Sequence, residues 1–299
     1  MAAVGRGREP QFSLRATGAV ARRQALSRAS YWILMVTTLS ALAVLFFLGY
    51  DSINVGWPRL NLDFITNYPS RFAEQAGLRS SLLGLAWVLG LTIVMAIPVA
   101  IGTAIWIEEF APRNMFTKLI EVNIANLAGV PSIIYGILGL TVFVRSFGLG
   151  PSIIAGALVL SLMILPMIVI ASQEAIRQVP PSITEGSLAL GATKWQTVWH
   201  HVLPGAMPGI MTGTILAISR AAGETAALIM IGAFTFIAFD NRSIHDDFTT
   251  VPIQIYNWTI RPANQGFEHN AAAGIVVLMV IVITLNLVAV LIRERFRPR

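Results

Sequence analysis

Cysteine is absent from the 299 residues, which removes disulfides, thiolate metal sites and thiol catalysis and says little about redox compartment. Charge is scarce as well. Only 12% of the residues are charged and 55% are hydrophobic, with a mean hydropathy of +0.70. Soluble domains carry about 25% charged residues, so the composition is that of a membrane protein. The glycine-rich P-loop pattern that cradles nucleotide phosphates is missing, and any ATP hydrolysis must come from another chain. The apolar runs hold no HExxH motif, no histidine cluster, and no serine with a nearby histidine and acid. All four histidines (His200, His201, His245, His269) fall outside the long apolar runs, which leaves a membrane-embedded enzyme without machinery. Internal repeats, low-complexity tracts and inverted halves are also lacking.

What is present is a series of uncharged runs, each near the roughly 20 residues a helix needs to cross a bilayer. They are Tyr31 to Leu48, Ser80 to Ile107, Val122 to Val144 and Ser146 to Gln173, then Pro208 to Phe239, interrupted only by Arg220 and Glu224, and Asn270 to Ile292. The expected architecture is all-α, with six transmembrane helices. Pro98, Pro131, Pro166 and Pro208 predict kinks rather than breaks, because neighbouring membrane helices satisfy the freed carbonyls. With the N-terminus inside, 14 Lys and Arg residues fall inside and six outside, with Arg220 in the membrane. That distribution favours an N-in, C-in orientation. The basic tail over residues 1–29 reads as a topology signal against anionic membrane lipid, and nucleic acid is not an expected partner. About 30 polar residues precede the first apolar run, so a cleaved signal peptide is not expected. Segments 51–79 and 240–269 become the long extracytoplasmic loops, the first with the pattern of a short helix. They are docking surfaces for a soluble partner or plain solvated connectors.

The inside loop over residues 174–205 is the most informative stretch outside the membrane. Ser182 and Glu185 fit a capping box, so a helix is expected after Pro180 and Pro181 with its stop at Gly191. Thr193 and Gln196 fit a second box. Trp195, Val198, Trp199 and Val202 then share one face before Pro204, which is expected to end that helix. Two short capped helices around a glycine make an elbow too short to span.

The elbow resembles the cytoplasmic coupling loop of ABC importer permeases, in which Glu-Ala-Ala is followed after three residues by Gly and after nine more by Ile-x-Leu-Pro. The match runs over Glu185 to Ser187, Gly191, His201, Leu203 and Pro204, with Gly186 and Ser187 in place of the alanines and His201 in place of the isoleucine. Further segments, "IEEFAPRN" from Ile107, "AGVPSIIYGILGL" from Ala128 and "SRAAGETAALIMIGA" from Ser219, are similar to the permeases of bacterial phosphate importers, more the A-type than the C-type. The resemblance extends over nearly all of the chain from Tyr31.

It implies a type I, MetI-like permease domain over residues 30–299 in the bacterial inner membrane. It also implies a heterodimer with a second homologous permease, two copies of a cytoplasmic ATPase that uses ATP and Mg, and an extracytoplasmic phosphate-binding protein. No cofactor or metal is expected on this chain itself. By the same logic Glu185 and Gly191 fix the elbow, with Leu203 and Pro204 completing the motif, while Leu188, Trp195 and Trp199 fill the ATPase cleft.

The charges inside the fifth run are expensive. A charged side chain at the bilayer centre costs about 2.5 to 3.5 kcal/mol even on the lenient insertion scale, so both should face protein or water. At 100° per residue, Arg220 and Glu224 lie about 40° apart on one helical face. They form a salt bridge that neutralises itself or locks the helix to a neighbour, or Arg220 offers its fork to a passing oxyanion while Glu224 either holds it between events or accepts from the protonated oxygen that phosphate has and sulfate lacks. Gly223 would allow close approach. Asn123, Asn126 and Ser132 are weaker candidates for lining the route, helix-to-helix hydrogen bonding being the plainer job for each. The rival readings are a permease for another oxyanion such as sulfate, and a secondary transporter with Glu224 as its proton-coupling carboxylate.

Overall fold

The computed structural model describes residues 18–233, 236–262 and 265–295. The expected basic tail lies outside the described residues up to position 17, as do Arg297 and Arg299 at the other end. The chain divides into two compact units, Met1–Asp51 and Ser52–Arg299. Most of helix α1 (Gly18–Gly56) belongs to the first. Its apolar residues surround the axis with no polar stripe. The Thr37 and Thr38 hydroxyls donate to the carbonyl oxygens of Ile33 and Leu34, each at 2.8 Å, so the helix satisfies these polar groups itself.

The second unit contains α2 (Leu62–Thr66), α3 (Arg79–Ile105), α4 (Met115–Ala128), α5 (Ser132–Gly139) and α6 (Ile153–Arg177). It continues with α7 (Pro181–Ala189), α8 (Lys194–Thr197), α9 (Leu203–Ala222), α10 (Ala226–Met230), α11 (Val251–Thr259) and α12 (Phe267–Arg295). Among the described residues five helical segments are long and apolar enough to cross a membrane, six if the pair Met115–Ala128 and Ser132–Ser146, bent by 103°, counts as one span.

That bend corrects the expectation for Pro131. Pro98, Pro166 and Pro208 are carried inside α3, α6 and α9. Pro131 instead caps α5 after a full break. Two neighbours explain the difference. Proline drives Val130 out of the helical region, and Gly129 before it has little helical preference to resist. The freed carbonyls are taken locally: Gly129 N–H donates to Asn126, Val130 N–H to Leu127, and the Tyr135 hydroxyl also donates to Leu127 at 2.8 Å.

Helix α6 forms the centre of this unit, packed between α3 and α9. The face α3 buries contains Thr92, Ala96, Ala100 and Ala104, small residues every fourth position. On α9 the corresponding device is Gly209 and Gly213. A β-carbon at Gly209 would come within 2.6 Å of the Ala175 methyl, and one at Gly213 would run into the Ala171 methyl. Small residues four apart let membrane helices approach closely enough for dispersion to hold them.

Beyond the spans, Arg59 ties segment 51–79 to the start of α12. Its Nε donates to Asn270 Oδ1 at 2.9 Å, and its Nη2 donates to the carbonyls of Ala73 and Ala76, each at 3.0 Å. The expected short helix there is α2, whose Phe64 ring meets Trp258 of α11 at 5.6 Å. Asp240 accepts from Arg79 Nε at 2.8 Å, and this hydrogen bond holds its carboxyl below the ordinary value of 3.8. Asp246 is lowered likewise, by the backbone N–H of Arg242 and then by that of Ser243.

Two outcomes follow. Gly213→Leu should force α9 off α6, at a cost of about 3 kcal/mol or more by overpacking, and lower the thermal midpoint of the detergent-solubilised chain. The second concerns acid. A depressed carboxyl pKa stabilises the fold above the ordinary value and loses that contribution as pH falls through the lower folded value. The 240–250 loop should therefore resist proteolysis unchanged from pH 7 to 5 and open only below about pH 3.8, whereas Asp240→Asn opens it at neutral pH.

Candidate functional site

The fifth apolar run is not one helix. Helix α9 stops at Ala222, Gly223 caps it, and after Glu224 and Thr225 the chain turns into the five-residue α10. Arg220 and Glu224 therefore do not share a helical face, and no ion pair joins them among the described residues. The cause is local. Glu224 Oε1 accepts the Ala227 N–H at 3.1 Å, so the carboxylate is engaged with the first turn of α10. Glycine at 223, followed by a side chain that reaches the next amide, favours a turn over continued helix.

Arg220 is left at the end of α9, exposed, with Nη1 3.2 Å from the Met167 sulfur as its one hydrogen bond among the described residues. A thioether is a weak acceptor, so the guanidinium keeps nearly all its donor capacity. Tyr135, buried on α5, lies within Coulombic reach of it.

The two chain breaks meet here. Helix α10 lies against α5, and at Gly136 a β-carbon would come within 2.7 Å of the Ala227 carbonyl oxygen and 2.8 Å of the Met230 Cβ. Only glycine permits that approach. The weaker candidates fall on the same broken segment. Asn123 and Asn126 are exposed on α4, and Ser132 is half-buried in the first turn of α5. Asn123 Nδ2 donates to Leu119 O of its own helix at 2.7 Å, and among the described residues no bond joins it to another helix.

The elbow follows its predicted outline with corrections. Helix α7 closes in a Schellman turn: Ala192 N–H donates to Ser187 O, Gly191 N–H donates to Leu188 O, and Gly191 has φ +87°. Only one expected capping box forms, that of Thr193 and Gln196. Ser182 caps nothing because Pro181, with φ already set, starts the helix one residue earlier and places Ser182 inside the first turn. Pro204 ends no helix. A wide π-turn over Val198–Val202 leads into α9 with Pro204 in its first turn, so Lys194 to Ala222 runs as one helical segment. Leu203 is half-buried there and Pro204 is exposed.

Glu185 is exposed and makes no described bond; the buried Ser187 and Thr197 hydroxyls, 2.9 Å apart, join the two arms. Trp195 and Trp199 stack at 5.7 Å and line an apolar cavity of about 540 Å³ with Gly102, Ile105, Trp106 and Phe110 from the end of α3. Both tryptophans remain exposed, at 61% and 53%, as do Leu188 and Leu190, the latter at 91%. Nothing in the periodicity singled Leu190 out. A hydrophobic residue just before a C-capping glycine was the available signal.

The comparisons with known proteins agree in kind. A probable ABC transporter permease protein YqgI of Bacillus subtilis (strain 168) is 35% identical over 252 residues, covering 81% of this chain and 85% of that one. The phosphate transport system permease protein PstA 1 of Mycobacterium tuberculosis (strain CDC 1551 / Oshkosh) is 33% identical over 226 residues, covering 75% and 72%. Among solved structures, a bacterial ABC transporter involved in import of the acidic polysaccharide alginate matches with TM-score 0.62 at 17% identity, over 92% of this chain and 100% of that one. The inward-facing MetNI methionine ABC transporter matches with TM-score 0.55 at 18% identity, over 74% and 96%. At such identities the structures speak for the fold alone, that of a type I, MetI-like importer permease. The family pattern described as "binding-protein-dependent transport system inner membrane component" matches residues 96–299, and the chain belongs to this family of ABC importer permeases of the bacterial inner membrane.

Proposed function

We propose that this chain is the permease subunit of an ATP-driven importer and passes inorganic phosphate to the cytoplasm. The observation that carries this reading is Arg220. A permanently charged fork stands exposed at the end of a spanning helix, and among the described residues its side chain has only a thioether as hydrogen-bond partner. Hydrocarbon cannot cover it, so that face belongs against water or a second protein. A guanidinium suits a tetrahedral oxyanion because it offers parallel N–H donors at any relevant pH. Phosphate is chosen over sulfate by the names of the relatives, since Arg220 would serve either.

In this reading a second, homologous permease completes the path opposite Arg220, Asn126 and Ser132. Glu224 positions α10 through its bond to the Ala227 N–H, and its second carboxylate oxygen would accept from the protonated oxygen that phosphate has and sulfate lacks. An extracytoplasmic binding protein delivers the anion. Two ATPase copies, holding ATP and Mg, receive the elbows, here through Leu188 and Leu190, while Trp195 and Trp199 brace each elbow on α3. The N-in, C-in orientation places the elbow on the ATPase side. Because the elbow's second arm and α9 form one helical segment from Lys194 to Ala222, a push on that arm reaches Arg220 without crossing a loop.

The test is phosphate uptake by the reconstituted assembly. Arg220→Ala should lower uptake about a hundredfold while the chain still assembles, and Arg220→Lys should restore part of it as a point charge without the fork. Wild-type uptake by Arg220→Ala would refute the role, and sulfate uptake equal to phosphate would refute the substrate. Leu190→Asp should release the ATPase from the purified assembly and leave the thermal stability of the chain unchanged, because that side chain touches solvent.

A further inference from the structure

Arg177 is the last residue of α6, and four residues later Pro181 opens the elbow. Its guanidinium is the hub of a network that neither the sequence patterns nor the pathway accounts for. Nε and Nη2 grip Glu108, at 3.0 Å to Oε2 and 2.7 Å to Oε1. Gln173 Nε2 donates to the same Oε1 at 2.9 Å. Glu108 stands in the π-turn Trp106–Phe110 that ends α3, and its side chain is only 14% exposed. This arm is doubly bonded and sheltered.

The other arms differ. Nη1 reaches Glu174 one turn back at 3.2 Å, and Nη2 reaches Glu121 of α4 at 3.6 Å, where the two side chains are 49% and 38% exposed. The Glu121 contact is long, single and wetted, the kind of ion pair that contributes little to stability. Arg113 and Lys118 line the same cavity, of about 680 Å³, without an ion pair to Glu121 among the described residues. Arg177 thus joins three things: a seat at the end of α3, the root of the elbow, and the middle of α4, the helix that leads to the break at Pro131.

We propose that Arg177 is a positioning residue that carries elbow movement to α4, through a fixed grip on Glu108 and a contact with Glu121 that is made and broken in each transport cycle. The unequal arms are what such a link requires: one must hold while the other exchanges, and the tight arm lies on α3, the loose one on α4. The inference rests on the elbow's proposed role as the ATPase contact. Glu121→Gln removes the exchanging charge and leaves the Glu108 seat intact.

The experiment uses the complete assembly in nanodiscs and reads ATP hydrolysis with and without phosphate-loaded binding protein. Glu121→Gln should keep basal hydrolysis per assembled complex within twofold and lose at least fivefold of the stimulation. A defect of folding alone would lower both in proportion. Should that variant assemble poorly, Arg177→Lys gives the same readout, because one ammonium cannot serve both Glu108 oxygens and still reach Glu121. Stimulation at the wild-type ratio in whichever variant assembles overturns the proposal. Absence of stimulation in the unaltered assembly would instead refute the reading of the elbow, so the two failures are distinguishable.

Discussion

A broken helix inside a bilayer frees backbone N–H and C=O groups that hydrocarbon cannot satisfy, and this constraint organises the rest of the molecule. Two such breaks occur, after Ala128 and after Ala222. Each is satisfied locally, by the Tyr135 hydroxyl on Leu127 in one case and by the Glu224 carboxylate on Ala227 in the other. They are then packed together, α10 on α5 across Gly136. Irregular backbone at membrane depth is tolerated where it is buried in protein or lines a cavity. Arg220 stands beside this junction, where the proposed path of the anion would run.

The scaffold around the junction is built for close contact. Alanines of α3 and glycines of α9 bring both helices onto α6, and Arg177 at its end extends that rigid centre to the elbow. The π-turns at Trp106–Phe110 and Val198–Val202 lie at the same end of these helices, and both border the cavity that the stacked tryptophans line. Wide turns of this kind accommodate an irregularity without ending the helix, which is why the elbow stays continuous with α9 despite Pro204.

Much of this was legible in the sequence, and the misses have physical causes. Hydropathy found the spans because burial in lipid leaves an unmistakable composition, and the Thr193 box and Gly191 stop were readable because capping is decided within four residues. The break at Pro131 was missed because proline alone is ambiguous in a membrane helix; Gly129 two residues earlier was the deciding partner. Arg220 and Glu224 were placed on one face by assuming a helix through Gly223, when Glu224 had an amide to cap. The Arg177 network could not be read at all, since Glu108 and Arg177 are 69 positions apart and only the packing of α3 on α6 brings them together.

Water access at the junction tests the central claim most directly. Because the chain has no cysteine, Ser132→Cys gives a single labelling site beside the Pro131 break. In the intact assembly a membrane-impermeant thiol reagent should modify it quickly, and inorganic phosphate should slow that reaction, while a cysteine at Phe46 in the apolar stretch of α1 stays unmodified. If the Ser132→Cys thiol is as inert as the one at position 46, or is labelled at a rate phosphate does not change, the face carrying Arg220 is not the path of the anion.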